Sequence, residues 1–552
     1  MKKRLLPTLL LVLSVFSTQA QDRLVIFFKD KNNSTFSLNN PSQFLSQRAI
    51  DRRLRQNIAI DSSDLPVNTG YVQALANAGA NVLNVSKWFN AAIVEIGSAS
   101  VLNAIMGLPF VQSSVDVGRP GPGGHVDKFQ IESPLQRSKS PSIAKNNNLS
   151  YGYAAGQVQQ LNLAPLHLSG HRGQGICIAV LDAGFLDLPQ MSCFDSLRLS
   201  NRIDATWDFV DREPDVYDDH YHGSAVLSCM ASLVPDSLIG TAPGANYILL
   251  RSEDAGTEYI IEEYNWCIAA EFADSAGADI INSSLGYTTF DDPSQDHTYS
   301  DMDGDTNPST IAADWAAAKG IVVVNSAGNS GNSNWNYIGA PADADSILSI
   351  GAVDNNGFYA SFSSNGPSFD GRVKPDVAAC GSGTWLYSPY SNNQPVQGNG
   401  TSFSSPLLAG AVACLWQAQP LVNGQDLIEA VRASANQNLN PDTLLGHGIP
   451  DFSFAGQLLG VQFPANPEST QILVYPNPSV GTSIRFVIQP QSGQTVEWRI
   501  FDICGRQVQS GSARTQPGQL FSQEIDVLPT DGLYSLVVTD GDSRYMARLV
   551  VN

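Results

Sequence analysis

Four short apolar runs in the middle of the chain constrain its fold more than any other sequence feature. They cover residues 176–181, 247–250, 280–282 and 321–324, and helical stretches are predicted near 223–233, 257–276, 309–319 and 402–419. Continuous apolar strands are buried on both faces, which is typical of a parallel sheet covered by helices. We therefore predict an open α/β domain over residues 150–460, with its functional site at the carboxyl ends of the strands.

The residues before this domain divide into three predicted parts. Residues 1–20 combine basic residues, a short apolar run and a small-residue cleavage site, as a secretory signal peptide does. The alternative, a membrane anchor, needs a longer apolar run. Residues 21–117 follow the order strand, helix, strand, strand, helix, strand, which predicts a small ferredoxin-like α+β domain. Residues 118–149 are rich in Gly, Pro and Ser and are interpreted as a flexible, cleavable linker.

The C-terminal part of the chain, residues 465–552, has a different pattern. Period-two runs at 483–488, 496–501, 534–538 and 548–551 are separated by turn-forming residues. This alternation predicts a small β-sandwich.

Charge and cysteine content exclude two classes of site. The formal net charge is −21, so phosphate backbones are repelled and nucleic acid is not expected as a partner. The seven cysteines include no C-x-x-C pair, so a zinc cluster is not indicated. Most of them lie in apolar runs and are expected to be buried free thiols, with one or two disulfides as the alternative in an exported chain.

Four polar residues of the α/β region are candidates for chemistry. Asp182 and Asn329 follow apolar strands, whereas His222 and Ser402 open predicted helices beside glycines. Each alone has an ordinary structural explanation as a turn residue or helix cap. Together, the order Asp, His, Ser is one of the three orders known for hydrolytic triads.

The motifs around these residues resemble those of the subtilisin-like serine proteases. Residues 179–184 resemble the aspartate motif of that family, 222–224 the histidine motif, 400–406 the serine motif and 326–329 the oxyanion-asparagine segment. The resemblance implies a serine endopeptidase that acts on proteins or peptides and requires no cofactor. It implies that Asp182 orients His222, that His222 is the general base for Ser402, and that Asn329 and the Ser402 N–H bind the oxyanion.

The same resemblance implies which residues line the substrate cleft, namely Ser284, Leu285, Gly286, Ala327 and Gly328. The chain departs from the family pattern at Ala183, where the family usually has Thr or Ser, and at Ser224, Phe403 and Ser404. These departures affect the support of Asp182 and the shape of the cleft, and they remove no catalytic group. The side chain that the cleft prefers is left open.

Two flanking resemblances extend this interpretation. Residues 22–117 resemble the inhibitory propeptide of the family, which makes the chain's own propeptide its expected inhibitor. Residues 475–478, 502–506 and 528–534 resemble the C-terminal sorting domain of the type IX secretion system of Bacteroidetes. This implies a secreted or outer-membrane-attached protein that interacts with the secretion machinery; the alternative is a plain adhesive β-sandwich.

An acidic loop offers one metal hypothesis. Asp301, Asp303 and Asp305 alternate as in calcium loops, with a solvated acidic loop as the equal alternative. For the whole chain, the alternative to an endopeptidase is a catalytically inactive surface binding protein on a protease scaffold. An ester hydrolase or a tripeptidase would also be compatible with the same triad.

Overall fold

The computed structural model describes residues 22–118, 128–129, 150–461, 463, 472–475, 483–488, 490, 495–503, 506–516, 521–526, 528, 532–541 and 543–551. The predicted signal peptide, most of the predicted linker and residues 476–478 of the sorting motif lie outside these ranges. No helix within the described residues has both the length and the apolarity needed to cross a bilayer.

The N-terminal unit is one antiparallel sheet with helices. Its elements are β1 (Asp22–Phe28), α1 (Gln47–Arg55), α2 (Thr69–Asn77), β2 (Asn81–Ser86), β3 (Ala91–Ile96), α3 (Ala99–Met106) and β4 (Val111–Asp116). The strand order is β2-β3-β1-β4, and every neighbouring pair is antiparallel. This is the ferredoxin-like arrangement that the sequence predicts.

The central unit is built on an eight-stranded sheet of order β14-β13-β12-β11-β10-β5-β9-β6. Its elements are α4 (Ala155–Gln160), α5 (Ala164–Leu168), β5 (Cys177–Asp182), α6 (Asp195–Leu199), β6 (Ile203–Asp208), α7 (His222–Ala231), β7 (Leu233–Val234), β8 (Leu238–Ile239), β9 (Asn246–Arg251), α8 (Ile261–Ala276), β10 (Ile280–Ser283), α9 (Pro308–Ala318), β11 (Val322–Ser326), β12 (Leu348–Asp354), β13 (Val377–Tyr387), β14 (Pro395–Asn399), α10 (Thr401–Ala418), α11 (Gly424–Ser434) and α12 (Phe452–Leu458).

The connections of this sheet determine where its crevice lies. Its strands run parallel except β14, which pairs antiparallel with β13. From β5 the chain first builds β6 and β9 on one side, and then crosses to β10, β11, β12 and β13 on the other. The direction of winding therefore reverses between β5 and β10, and ligands of open α/β sheets bind at the carboxyl end of such a switch point.

Helices cover both faces of the sheet, as the apolar runs predict. Ile178 and Val180 of β5 pack in one apolar cluster with residues of α7 and α10. Ala179 and Leu181 of the same strand face the other cluster, which contains residues of α8 and α9. Alternate side chains of β5 thus enter opposite layers, and burial on both faces explains the uninterrupted apolar run.

Helix α8 begins at Ile261, later than the predicted start at residue 257. A turn accounts for the difference, because Asp254 accepts hydrogen bonds from the backbone of Gly256 and the hydroxyl of Thr257. An aspartate that bonds the backbone two residues ahead favours a turn over a helix.

The N-terminal unit docks on the helical layer formed by α8 and α9. Trp88 and Phe89 pack against Trp315 of α9, with ring centroids 6.2 and 4.9 Å apart. Beside these rings lies an interface ion cluster, defined as Asp274 of α8 with Arg52, Arg53 and Lys87 of the N-terminal unit. The two arginines and the aspartate are fully buried or nearly so.

The described C-terminal residues form two antiparallel sheets, β15-β16-β19 and β18-β17-β20-β21. The strands are β15 (Leu473–Tyr475), β16 (Ile484–Ile488), β17 (Thr495–Asp502), β18 (Gln507–Arg514), β19 (Phe521–Ile525), β20 (Gly532–Asp540) and β21 (Ser543–Val551). Phe486, Trp498 and Leu536 belong to their shared apolar core. The predicted small β-sandwich is confirmed.

The cysteine alternative of one or two disulfides does not occur among the described residues. Cys177, Cys193, Cys229, Cys267, Cys380 and Cys414 are all free and buried. Cys504 lies outside the described residues. The six described thiols behave as small apolar side chains of the core.

Candidate active site

Asp182 and His222 form a buried hydrogen-bonded pair. Asp182 is the last residue of β5 and His222 the first residue of α7, and their side chains are fully buried or nearly so. The distance from His222 Nδ1 to Asp182 Oδ1 is 2.7 Å. The same carboxylate oxygen accepts the N–H of Ala183 at 2.8 Å. A carboxylate held in this way fixes the orientation and tautomer of the imidazole.

Gly223 allows this pairing. A Cβ placed on Gly223 would lie 2.3 Å from the carbonyl oxygen of Gly184 and 3.1 Å from Asp182 Cβ. Such distances are shorter than van der Waals contact, so any larger residue would push the start of α7 away from the end of β5. The glycine after the histidine is therefore required by the close approach of helix and strand.

Ser402 is the second residue of α10 and follows Gly400, whose φ of 152° is unfavourable for other residues. The Ser402 hydroxyl donates to the carbonyl oxygen of Ser284 at 3.4 Å, a long and therefore weak hydrogen bond. The described contacts of His222 and Ser402 include no hydrogen bond between the two. The His222 ring nevertheless lies beside the next residue, with 6.0 Å between its centroid and that of Phe403.

Pro406 lies inside α10, which begins at Thr401. Because proline has no N–H, the carbonyl of Ser402, four residues earlier, loses its helical partner. Ser284 Oγ donates to that carbonyl at 2.9 Å instead, which ties the nucleophile segment to the end of β10.

Asn329 lies in the loop after β11, on the other side of Gly400. Its Oδ1 accepts both the N–H and the hydroxyl of Thr401, at 2.9 and 3.0 Å. A Cβ on Gly400 would lie 3.6 Å from Asn329 Nδ2 and 3.7 Å from Ser402 Cβ. Since the oxygen is anchored, the amide nitrogen is the end that flanks the same glycine as the serine. It is available to a developing negative charge there.

A cavity of about 160 Å³ is lined by Ser402 and Asn329. Four predicted cleft residues also line it, namely Ser284, Leu285, Gly286 and Gly328. The lining further includes residues that the sequence did not point to: Lys128, Phe129, Glu253 and Glu258. Ala327 is not part of the lining. It is fully buried behind the loop, in a small apolar cluster with Ile338 and Ala342.

Lys128 and Phe129 of the predicted linker lie in this cavity. Lys128 Nζ donates to Glu258 Oε2 at 2.7 Å and to Glu262 Oε2 at 2.8 Å, and it also contacts Glu253 Oε1. The Phe129 ring packs on the His222 ring with 4.3 Å between centroids. A linker segment thus extends from the three glutamates to the ring of His222.

For Glu258 and for Lys128, burial shifts the pKa in one direction and the oppositely charged groups beside the residue shift the pKa in the other. Burial raises the pKa of Glu258 to about 7, although Lys128 lowers it. For Lys128, burial lowers the pKa, but the three carboxylates outweigh that effect and the pKa lies well above its usual value. No signal in the sequence pointed to these glutamates, because Glu253 looks like an ordinary loop residue and Glu262 lies at a helix start, where the helix dipole already accounts for an acidic residue.

In the loop that contains Asp301, Asp303 and Asp305, the carboxylates of Asp301 and Asp303 accept hydrogen bonds from neighbouring residues of the same segment. Asp301 Oδ2 accepts the N–H of Thr298 at 2.7 Å, and Asp303 Oδ1 accepts the N–H of Asp305 at 3.0 Å. Among the described residues, three carboxylates close enough for one ion occur elsewhere, at Asp208, Asp211 and Asp219 and at Glu253, Glu258 and Glu262. The first of these groups surrounds the guanidinium of Arg251. Calcium in the 301–305 loop stays a prediction.

Family comparisons match three parts of the chain. Residues 173–448 match the Subtilase family, residues 23–123 the Peptidase S8 propeptide domain of Bacteroidota, and residues 473–552 the Secretion system C-terminal sorting domain.

The chain is also similar to individual proteins and to solved structures. Subtilisin DY of Bacillus licheniformis is 30% identical over 295 residues, which is 52% of this chain and 93% of that protein. Serine protease AprX of Bacillus subtilis is 32% identical over 287 residues, 47% of this chain and 61% of that protein. The crystal structure of MycP1 from Mycobacterium smegmatis is similar at 21% identity with a TM-score of 0.43, and this similarity covers 62% of the present chain and 95% of the MycP1 chain.

Proposed function

Because this chain belongs to the subtilase family and is a serine-type endopeptidase, we propose that Asp182, His222 and Ser402 are its catalytic triad. The observation that carries the proposal is the buried 2.7 Å hydrogen bond between Asp182 and His222, at the sheet edge where Ser402 opens α10. The protein also carries a family propeptide and a sorting domain that indicates secretion or localisation at the cell surface.

The chemistry follows from these positions. His222 Nε2 takes the proton of Ser402 Oγ while that oxygen attacks the scissile carbonyl carbon. Asp182 holds the Nδ1–H and stabilises the imidazolium that forms. The imidazolium then protonates the leaving amine, and water hydrolyses the acyl-enzyme by the same steps in reverse. The weak 3.4 Å hydrogen bond of Ser402 to Ser284 is exchanged for one to His222 as substrate enters.

The oxyanion of the tetrahedral intermediate is assigned to Asn329 Nδ2 and the N–H of Ser402. Thr401 holds the amide oxygen of Asn329 through two hydrogen bonds, so the NH₂ group does not have to reorient during the reaction. Donors that are oriented in advance stabilise developing charge most effectively. None of these steps uses a cofactor. Calcium at Asp301, Asp303 and Asp305 would act only on stability, which a Tm measurement with and without a chelator would test.

Maturation and export complete the proposal. Residues 1–20 act as the export signal, residues 21–117 as the inhibitory propeptide, and the linker at 118–149 is cut to release the enzyme of residues 150–460. Residues 465–552 then direct the protein through the secretion machinery to the outer membrane or the medium. Support comes from the family matches and from the linker residues that lie in the cleft.

The test is labelling with a fluorophosphonate probe after the linker has been cut by an added protease. Wild type is compared with Ser402→Ala and with the matched variant Ser404→Ala, whose hydroxyl donates to the carbonyl oxygen of Thr401 in the same helix. We expect labelling and casein cleavage to vanish in Ser402→Ala and to persist in Ser404→Ala. Absence of labelling in folded, propeptide-free wild type would favour the inactive binding protein instead.

A further inference from the structure

The glutamate cluster, defined as Glu253, Glu258 and Glu262, is the feature that the proposed mechanism leaves unused. Glu253 follows β9, and Glu262 lies in the first turn of α8. The side chains of Glu253 and Glu262 are each only 2% exposed, and that of Glu258 is 22% exposed. Three carboxylates this close repel one another strongly when water is largely excluded.

A single ammonium group compensates the cluster. Among the described residues, the ion pairs of these three glutamates are all with Lys128. Lys128 Nζ also donates to the carbonyl oxygen of Thr257 at 2.9 Å. A buried carboxylate that loses a paired cation is strongly destabilised. Removal of the linker would therefore leave a site that requires a new cation.

The cluster opens directly onto the catalytic centre. Glu253 and Glu258 line the same cavity as Ser402 and Asn329. The residue after Lys128 packs on the His222 ring at 4.3 Å, and consecutive Cα atoms are only about 3.8 Å apart. An extended peptide that follows the course of Lys128 and Phe129 therefore delivers one side chain to the cluster and the next to the histidine.

We propose that the glutamate cluster is a substrate subsite that takes a lysine or arginine side chain of the peptide to be cleaved, and that Lys128 occupies it until the linker is removed. The proposal rests on the endopeptidase function proposed above. The substrate class is thus a protein segment with a basic residue at one fixed position near the scissile bond, which Lys128 imitates.

The hydrogen-bonding groups of the cluster favour an organic cation. Lys128 approaches four acceptors, three carboxylate oxygens and one backbone carbonyl, with the three N–H groups of an ammonium. Glu258 Oε1 is buried and has no donor among the described residues, so one more acceptor remains. A guanidinium carries five N–H groups and would reach it. Tyr287 supports the cluster by donating its hydroxyl to Glu253 Oε2 at 2.8 Å.

The experiment compares processed wild-type enzyme on peptide pairs that differ only by lysine or norleucine at one position. Norleucine keeps the aliphatic chain of lysine and lacks its terminal ammonium group. Scanning the pair through the residues around the cut, we expect lysine to raise kcat/KM about ten- to a hundredfold at one position. Glu253→Gln and Glu262→Gln should each lower this ratio towards one, and the exposed control Glu429→Gln should keep it. The ratio is independent of the fraction of enzyme that folds.

Three results would overturn the proposal. Equal cleavage of both peptides at every position would reject the basic subsite and leave the endopeptidase function intact. Calcium binding by calorimetry that is lost in Glu253→Gln, together with a ratio of one, would assign the cluster to a divalent cation. Absence of cleavage of every peptide by enzyme that has shed its linker would reject the proposed function and the subsite together.

Discussion

Substitution of Asp274 by asparagine tests how the propeptide is held. Asp274 Oδ1 accepts Arg52 Nη2 at 2.5 Å and Arg53 Nη2 at 2.9 Å, and its Oδ2 accepts Lys87 Nζ at 2.9 Å. All three cations belong to the N-terminal unit. Burial by itself raises the pKa of Asp274. The three cations lower it by more than burial raises it, so the pKa lies well below its usual value. The carboxylate therefore stays ionised in mild acid.

The expected magnitude follows from burial. Removing one partner of a buried ion pair costs about 3–5 kcal/mol, because the remaining charges keep their desolvation penalty. At about 1.4 kcal/mol for each factor of ten, the N-terminal unit of Asp274→Asn should bind about 10²- to 4 × 10³-fold more weakly once the linker is cut. The loss should persist in high salt, since buried pairs are screened little.

The assay uses the full chain with Ser402→Ala and a protease site inserted in the linker. After cleavage, the dissociation of the labelled N-terminal unit from the remainder is measured, with exposed Asp426→Asn as the matched control. The reasoning would be refuted by a Kd within about threefold of the parent. It would also be refuted if Asp274→Asn lowered the Tm of the separated remainder, because that would place the role of Asp274 within the catalytic fold.

Three further predictions concern the site and its surroundings. Asn329→Ala should lower kcat about 10²- to 10³-fold with little change in KM, a magnitude that comes from subtilisin, a relative of this chain; an unchanged kcat in steady-state assays would remove Asn329 from the oxyanion site. Gly223→Ala should lower kcat about a hundredfold, because the added Cβ displaces the histidine from its aspartate; retention of full activity in the folded variant would contradict the close-approach argument. Burial lowers the pKa of His297, but the 2.6 Å hydrogen bond to Glu263 and the neighbouring negative charges together raise it by more, so the pKa lies above its usual value. The contribution of protonated His297 to the stability of the fold is therefore complete below about pH 6.5, and it is lost as the pH rises through the raised pKa. His297→Gln should remove that part of the pH dependence of Tm, and an identical Tm profile would count against it. The other charged groups that raise this pKa are Asp301 and Asp343.

The sequence by itself determined the type of fold and predicted the residues that we propose as catalytic. Runs that are apolar at every position require burial on both faces, and polar residues directly after them, such as Asp182 and Asn329, then share one edge of a parallel sheet. His222 and Ser402 were recognisable because each lies beside glycines at a helix start, a pattern that is local in the chain. Local patterns survive in the sequence because the residues that cause them are neighbours.

Only the tertiary structure decided what depends on residues distant in the chain. Glu253 and Glu262 look like ordinary loop and helix-start residues until Lys128 of the linker is placed between them. The same holds for Asp274, whose partners are brought to it by the docking of a separate sheet. Such pairings depend on the packing of whole units, and the periodicity of one segment carries no information about the charge that will face it.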